Sequence, residues 1–195
     1  MISTGIYLVI FIGTMVAIQV FALRIYTIAA TKLTATADAR KALNQIRDDI
    51  RQAKTLQVGN LTNAGIATSF GAVGANSVAQ GGALQIFQTT NSVPYTIYYL
   101  DTSGPTNYLR SYMVSASSVV TSNTLVGYIT NTIVFDAEDF QNNIVTNSLK
   151  NNQLYRMTLQ FSQWEYPIAF IGTNQGLNEY NYYQLRTKVC RRAID

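Results

Sequence analysis

The chain contains no histidine, and that absence removes most of the chemistry open to a protein of 195 residues. Imidazole-based general acid–base catalysis, Ser-His-Asp relays and most zinc sites are excluded. Cys190 is the single cysteine, so no intramolecular disulfide exists and a globular part must rely on its core alone. An unpaired thiol at this position reads as a small buried hydrophobe. There is no Gly-rich phosphate loop ending in Lys-Ser/Thr, no G-x-S-x-G elbow and no paired cysteine motif. Enzymatic function is therefore the losing reading, and nothing calls for a cofactor. The three prolines, Pro94, Pro105 and Pro167, all lie in the second part of the chain. No Lys or Arg precedes Arg24, and no acid precedes Asp38.

What fills that uncharged, proline-free beginning is apolar. Ile6–Leu23 (IYLVIFIGTMVAIQVFAL) holds 18 residues with only Thr14 and Gln19 as polar interruptions, which reaches the membrane-spanning threshold. It flows into the charged, amphipathic stretch Arg24–Val58 without a turn signal. Read as one element, this is a helix of about 58 residues, roughly 87 Å long at ~1.5 Å per residue. Ala39, Leu43, Ile46, Ile50 and Ala53 step by threes and fours, one apolar stripe suited to packing on a globular head. Gly59-Asn60 reads as the helix stop. The domain division is 1–59 for the helix, with 1–23 as membrane or filament core, and 60–195 for a globular head.

The charge imbalance is local. The chain has 14 basic and 10 acidic residues, and seven of the basic ones lie between Arg24 and Lys54. The head is left with seven of each sign. A basic stripe suits nucleic acid or anionic lipid, but a solvated helix face beside a membrane is the preferred reading. A secretory signal would open on basic residues and close on a small-residue cleavage site, and neither is present. The positive-inside rule would put the C-terminal side in the cytoplasm, against the exported look of a neutral, Ser/Thr/Asn-rich head. A removed basic leader resolves that conflict and makes Met1 a processed N-terminus.

Residues 59–83 are rich in Gly, Ala, Ser and Asn and read as a long surface loop. Asn60-Leu61-Thr62 within it fits a glycosylation sequon. Beyond it the pattern changes to strands: Leu84–Thr89, Tyr95–Asp101, Tyr108–Ser115, Ser118–Thr121, Leu125–Thr130, Thr132–Phe135, Leu154–Trp164 and Tyr182–Arg192, with a polar loop at 141–152. The expected fold class is α+β. A long N-terminal α-helix, with an apolar transmembrane or filament-core half and an amphipathic half, packs on an antiparallel β-sheet head. Asp136, Glu138 and Asp139 are weak metal candidates that would offer oxygens to a calcium ion. Three acids within a loop are more often solvent-facing, so the expectation is no metal. Of the 13 tyrosines, Tyr98, Tyr99, Tyr108, Tyr112, Tyr180, Tyr182 and Tyr183 fall in or beside strands. They either pack across strands or form a surface for stacking on sugars, bases or neighbouring subunits.

The chain resembles type IV pilin-like proteins, the family of pilins and type II secretion pseudopilins. The uncharged run ending at Arg24 and its continuation Ala39-Arg-Lys-Ala-Leu-Asn-Gln-Ile-Arg-Asp-Asp-Ile-Arg-Gln-Ala53 carry the resemblance. The second stretch is similar to the L-x-x-I/L-x-x-D-I/L-R-x-A run of larger minor pilins and the J-type pseudopilin group. Val134–Phe140, the strand Leu154–Trp164 and the closing Arg186-Thr-Lys-Val189 also fit that group. The resemblance implies cleavage by prepilin peptidase, methylation at Met1, storage in the inner membrane and machinery-driven assembly with helices inward. Ile6, Leu8, Ile10, Ile12, Val16 and Val20 would pack the filament core, and Leu43, Ile46, Ile50 and Ala53 would join helix to head. Two departures stand out: Gly5 replaces the family's usual glutamate, and no proline loosens the end of the apolar run.

The function expected is a structural subunit of an extracellular type IV pilus-like filament on the cell surface, with itself or other pilins as partners. A minor pseudopilin at the tip of a secretion or DNA-uptake pseudopilus is the alternative. A membrane-tethered sugar- or surface-binding module is the second, and nucleic-acid or glycan binding is not supported by any motif.

Overall fold

The structure, a computed structural model, describes residues 2–74, 76–89, 93–117, 119–146, 154–167 and 178–191. The chain divides into two compact units, Met1–Ala37 and Asp38–Asp195. Helix α1 (Ile2–Gln52) begins in the first and ends in the second, along a stretch with no proline to break its ladder.

The second unit is built from ten strands: β1 (Thr55–Leu61), β2 (Phe70–Ala72), β3 (Gln80–Gly81), β4 (Ala83–Phe87), β5 (Tyr95–Asp101), β6 (Asn107–Val114), β7 (Val120–Ile129), β8 (Phe135–Glu138), β9 (Leu154–Pro167) and β10 (Asn178–Cys190). They form one antiparallel sheet in the order β2-β1-β4-β5-β6-β7-β9-β8-β3, with β10 paired to β9. The sheet curls back on itself. β3, at the far end of that order, comes up against β1, where Gly59 and Gly81 let the two backbones approach. A Cβ at Gly81 would collide with the Gly59 carbonyl oxygen.

This half-barrel corrects the expected fold class. The molecule is mostly antiparallel β, not an apolar rod laid on an open sheet. Among the described residues no helix is long and apolar enough to cross a membrane. Within the second unit the helical residues Ala39, Ala42, Leu43, Ile46, Ile50 and Ala53 sit inside the main core. They pack with Leu56, Leu84, Tyr98, Leu109, Val126, Phe135, Met157 and Phe161 from the surrounding strands. Curvature explains the difference, because a twisted sheet of this many strands wraps what it covers.

Several boundaries are corrected too. α1 stops at Gln52, seven residues before the expected Gly59-Asn60 stop. The Lys54 amide donates to the Phe87 carbonyl at 2.8 Å, and from there Thr55–Gly59 pairs with Ala83–Phe87. Sheet pairing captures the chain where helical pattern alone would have let it continue. Part of the supposed surface loop 59–83, from Leu61 to Phe70, folds across the outer face of the sheet. Ala67 is buried there with Ala83, Ile97 and Tyr99, and Leu61, Phe70, Tyr95 and Tyr112 pack around them. β5 is therefore covered on both faces, which explains its near-continuous apolar run. Ser118 lies outside the described residues, Val120 and Thr121 belong with most of Leu125–Thr130 to one strand, β7, and Thr132–Phe135 mostly precedes β8.

Candidate functional site

In the first unit, the helical residues Tyr7–Leu23 carry no charge and leave large apolar side chains open to solvent. Leu8, Ile10, Ile12, Val16 and Val20 are all exposed, Leu8 by 60%, and so are Tyr7, Val9, Phe11, Met15, Ile18, Phe21 and Leu23. These positions cover every side of a 3.6-residue helix. A helix apolar all round is one that is normally buried. Met1 lies outside the described residues, as does the side chain of Ile6. Thr14 turns its hydroxyl inward to the Phe11 carbonyl at 2.8 Å, which removes one of the two polar interruptions from the surface.

In the second unit, the acidic cluster is not a solvent-facing loop. β8 carries Asp136 and Glu138 on one face, and both are buried, Glu138 at 0% exposure. Strand register supplies the reason. Asp136 pairs with Arg156 of β9, and Arg156 pairs with Lys188 of β10, so the three stand in one cross-strand row. Arg156 Nε donates to Asp136 Oδ2 at 2.8 Å, and its Nη1 also meets Glu138 Oε1. Lys188 Nζ lies 2.5 Å from Glu138 Oε2, and Arg186 Nη2 lies 3.9 Å from Oε1. Two buried carboxylates thus face three cations. A buried charge is tolerated only when paired in this way. The carboxylates are engaged by cations, and the described residues contain no group of three or more metal-ligating side chains.

Asp139 has a different role. Its Oδ1 accepts the amides of Gln141 and Asn143, each at 2.8 Å, closing the turn after β8. Those bonds, Asn143's first, hold its carboxyl below the usual aspartate range. Asn142 within this turn has φ +69°, a left-handed conformation that asparagine accepts more readily than most residues. It points Oδ1 at Lys188 Nζ, 2.6 Å away. Asn142, Arg186, Thr187 and Lys188 line a shallow groove over the buried pair.

A second polar contact ties the helix end to the sheet. The Tyr98 hydroxyl donates to Asp49 Oδ2 at 2.5 Å and accepts from Gln45 Nε2 at 3.2 Å. Burial, reinforced by Asp49, pushes the Tyr98 phenol upward, so it stays a donor. Burial also raises Asp49, with Asp48's like charge in the same direction and the Tyr98 bond opposing. Asp101 is buried, but the Ser103 hydroxyl and amide, with Arg110 at 3.1 Å, outweigh that burial and hold its carboxyl below the usual range. Of the other tyrosines singled out, Tyr99 is buried and Tyr108 and Tyr112 are half-buried. Tyr183 stacks on Phe161 at 4.8 Å. The side chains of Tyr180 and Tyr182 lie outside the described residues. Cys190 is exposed and is not the buried hydrophobe expected. Asn60 of the sequon sits in β1 with Oδ1 accepting the Gly82 amide at 2.8 Å.

Sequence reasoning missed Arg156, Arg186, Lys188 and Asn142 as partners of the acids. The only available signal was cations set between apolar residues in strand patterns, such as Arg156 between Tyr155 and Met157. Comparison of the chain with protein-family models, curated proteins and solved structures gives no match.

Proposed function

We propose that the chain is a structural subunit of an extracellular filament of the type IV pilus kind, and that Tyr7–Leu23 is the surface through which copies pack. One observation carries the reading: an uncharged helical stretch with its large apolar side chains exposed on every side. Water does not tolerate such a surface at that scale, so it requires a cover. Neighbouring copies of the same segment supply a cover of matching length and chemistry. The second unit carries its own core, and its buried carboxylates Asp101, Asp136 and Glu138 are paired with cations within it, which suits a head that faces solvent. The absence of an acid before Asp38 means such packing sets no carboxylate against its neighbours.

The test uses the full chain, purified in detergent and then depleted of it, with electron microscopy and light scattering as readouts. Wild type is expected to form elongated assemblies. Val16→Glu, which places a carboxylate in the packed surface, is expected to stay dispersed, because a buried unpaired charge is costly. Wild-type protein that remains monomeric, or that enters added vesicles and never self-associates, overturns the reading.

A further inference from the structure

Lys188, Asn142 and Glu138 meet in a way that ion pairing alone does not require. Lys188 Nζ lies 2.6 Å from the Asn142 carboxamide oxygen and 2.5 Å from Glu138 Oε2. Glu138 is fully enclosed, so the group beside the amine is a carboxylate shielded from bulk water. Asn142 is held in its left-handed turn by the Asp139 carbonyl, which accepts its amide at 3.1 Å. Lys188 is anchored in the paired strand β10. An amine, a carboxamide and a buried proton carrier are thus set together by three separate elements.

We propose that Lys188 and Asn142 join in an intramolecular amide cross-link, with Glu138 as the group that carries the proton. Glu138 takes a proton from Lys188 Nζ, and the freed lone pair attacks Asn142 Cγ. The Nζ–Cγ bond forms and the Cγ–Nδ2 bond breaks. Glu138 returns its proton to Nδ2, which leaves as ammonia, and the remaining amine proton departs with it as ammonium. Nothing is oxidised or reduced, and no co-reactant is needed. Holding the amine and the carboxamide in contact supplies the effective concentration that makes such a transfer feasible. The charges also favour the product. Before reaction, Arg156, Arg186 and Lys188 face Asp136 and Glu138. Afterwards two cations face two carboxylates. The shallow groove lined by Arg186 and Thr187 gives ammonia a way out. The bond would tie the last described strand to the turn after β8, a covalent staple in a chain with a single cysteine. The inference does not depend on the assembly reading.

Intact-mass measurement of the full chain, followed by tryptic mapping, tests it. Wild type is expected to be lighter than its calculated mass by one ammonia. A branched peptide should join the segment ending at Lys150 to the one ending at Arg191. Lys188→Arg, which keeps the charge but removes the primary amine, is expected at its full calculated mass, and so is Asn142→Ala. Glu138→Gln is expected to fold with the bond reduced at least tenfold. A full-mass wild type overturns the proposal. So does an ammonia loss that maps to an unbranched peptide, because a lone asparagine can lose ammonia by cyclising on its own backbone. A Lys188→Arg protein that keeps the mass deficit overturns it as well.

Discussion

Ile46→Ala probes whether the end of α1 is core or cover. Ile46 is 0% exposed and lies in the same buried cluster as Leu84, Tyr98, Leu109 and Phe161. Truncation removes three carbons from a site walled by strands on several sides, which can collapse only partly. Substitutions of this kind cost about 2–5 kcal/mol, and the enclosed position argues for the middle of that range, about 3.5 kcal/mol. For a unit of this size each kcal/mol shifts the melting temperature by about 2–4 °C, so a drop of about 10 °C is expected. Thermal and urea unfolding of the full chain in detergent, followed by circular dichroism, would measure it. Leu8→Ala serves as the control. It removes a side chain of similar size from a 60% exposed position in the other unit, and is expected to change stability by no more than about 0.5 kcal/mol. If Ile46→Ala shifts the midpoint no more than Leu8→Ala does, the helix end is peripheral and the account of the half-barrel core is wrong.

Two further outcomes follow from the same structure. Gly81→Ala sets a methyl group against the Gly59 carbonyl oxygen where β3 meets β1, so the strands must separate. A loss of about 3 kcal/mol or more in urea titration is expected, and wild-type stability would show that the two backbones do not meet there. Asp101 has a folded pKa below its ordinary value, so its contribution is present above the unfolded pKa and is lost as pH falls through the folded one. Wild-type stability should therefore decline below about pH 4 more steeply than that of Asp101→Asn. Parallel slopes for the two proteins would remove Asp101 from the account.

How much of this was legible in the chain differs from element to element. The strand Tyr95–Asp101 has the same limits in pattern and in structure, because Pro94 and the Asp-Thr-Ser-Gly turn bracket it locally. The three-and-four spacing of Ala39, Leu43, Ile46 and Ile50 is equally local, and those residues are buried in the core. The end of α1 was not legible, since what stops it is hydrogen bonding to β4, some thirty residues further on. Residues 59–83 looked like an exposed loop because small and polar residues carry no packing signal of their own. The part from Leu61 to Phe70 folds because Tyr99 and Ile97 need a cover on the outer face of β5. Asp136 and Glu138 looked solvated for a similar reason. Their cations arrive from strands 20 and 50 residues away, in a register that no local pattern specifies.

The sequence by itself determined that the stretch before Arg24 carries no charge and no proline, that histidine chemistry is absent, and that the remainder is strand-rich. These are properties of composition and period, and neighbours along the chain suffice to establish them. The tertiary structure alone decided that the sheet curls into a half-barrel around the end of α1. It also decided that two acids are buried against three cations, and that Lys188 touches Asn142. Each of those depends on groups far apart in sequence becoming neighbours, and only the pairing of strands brings them together.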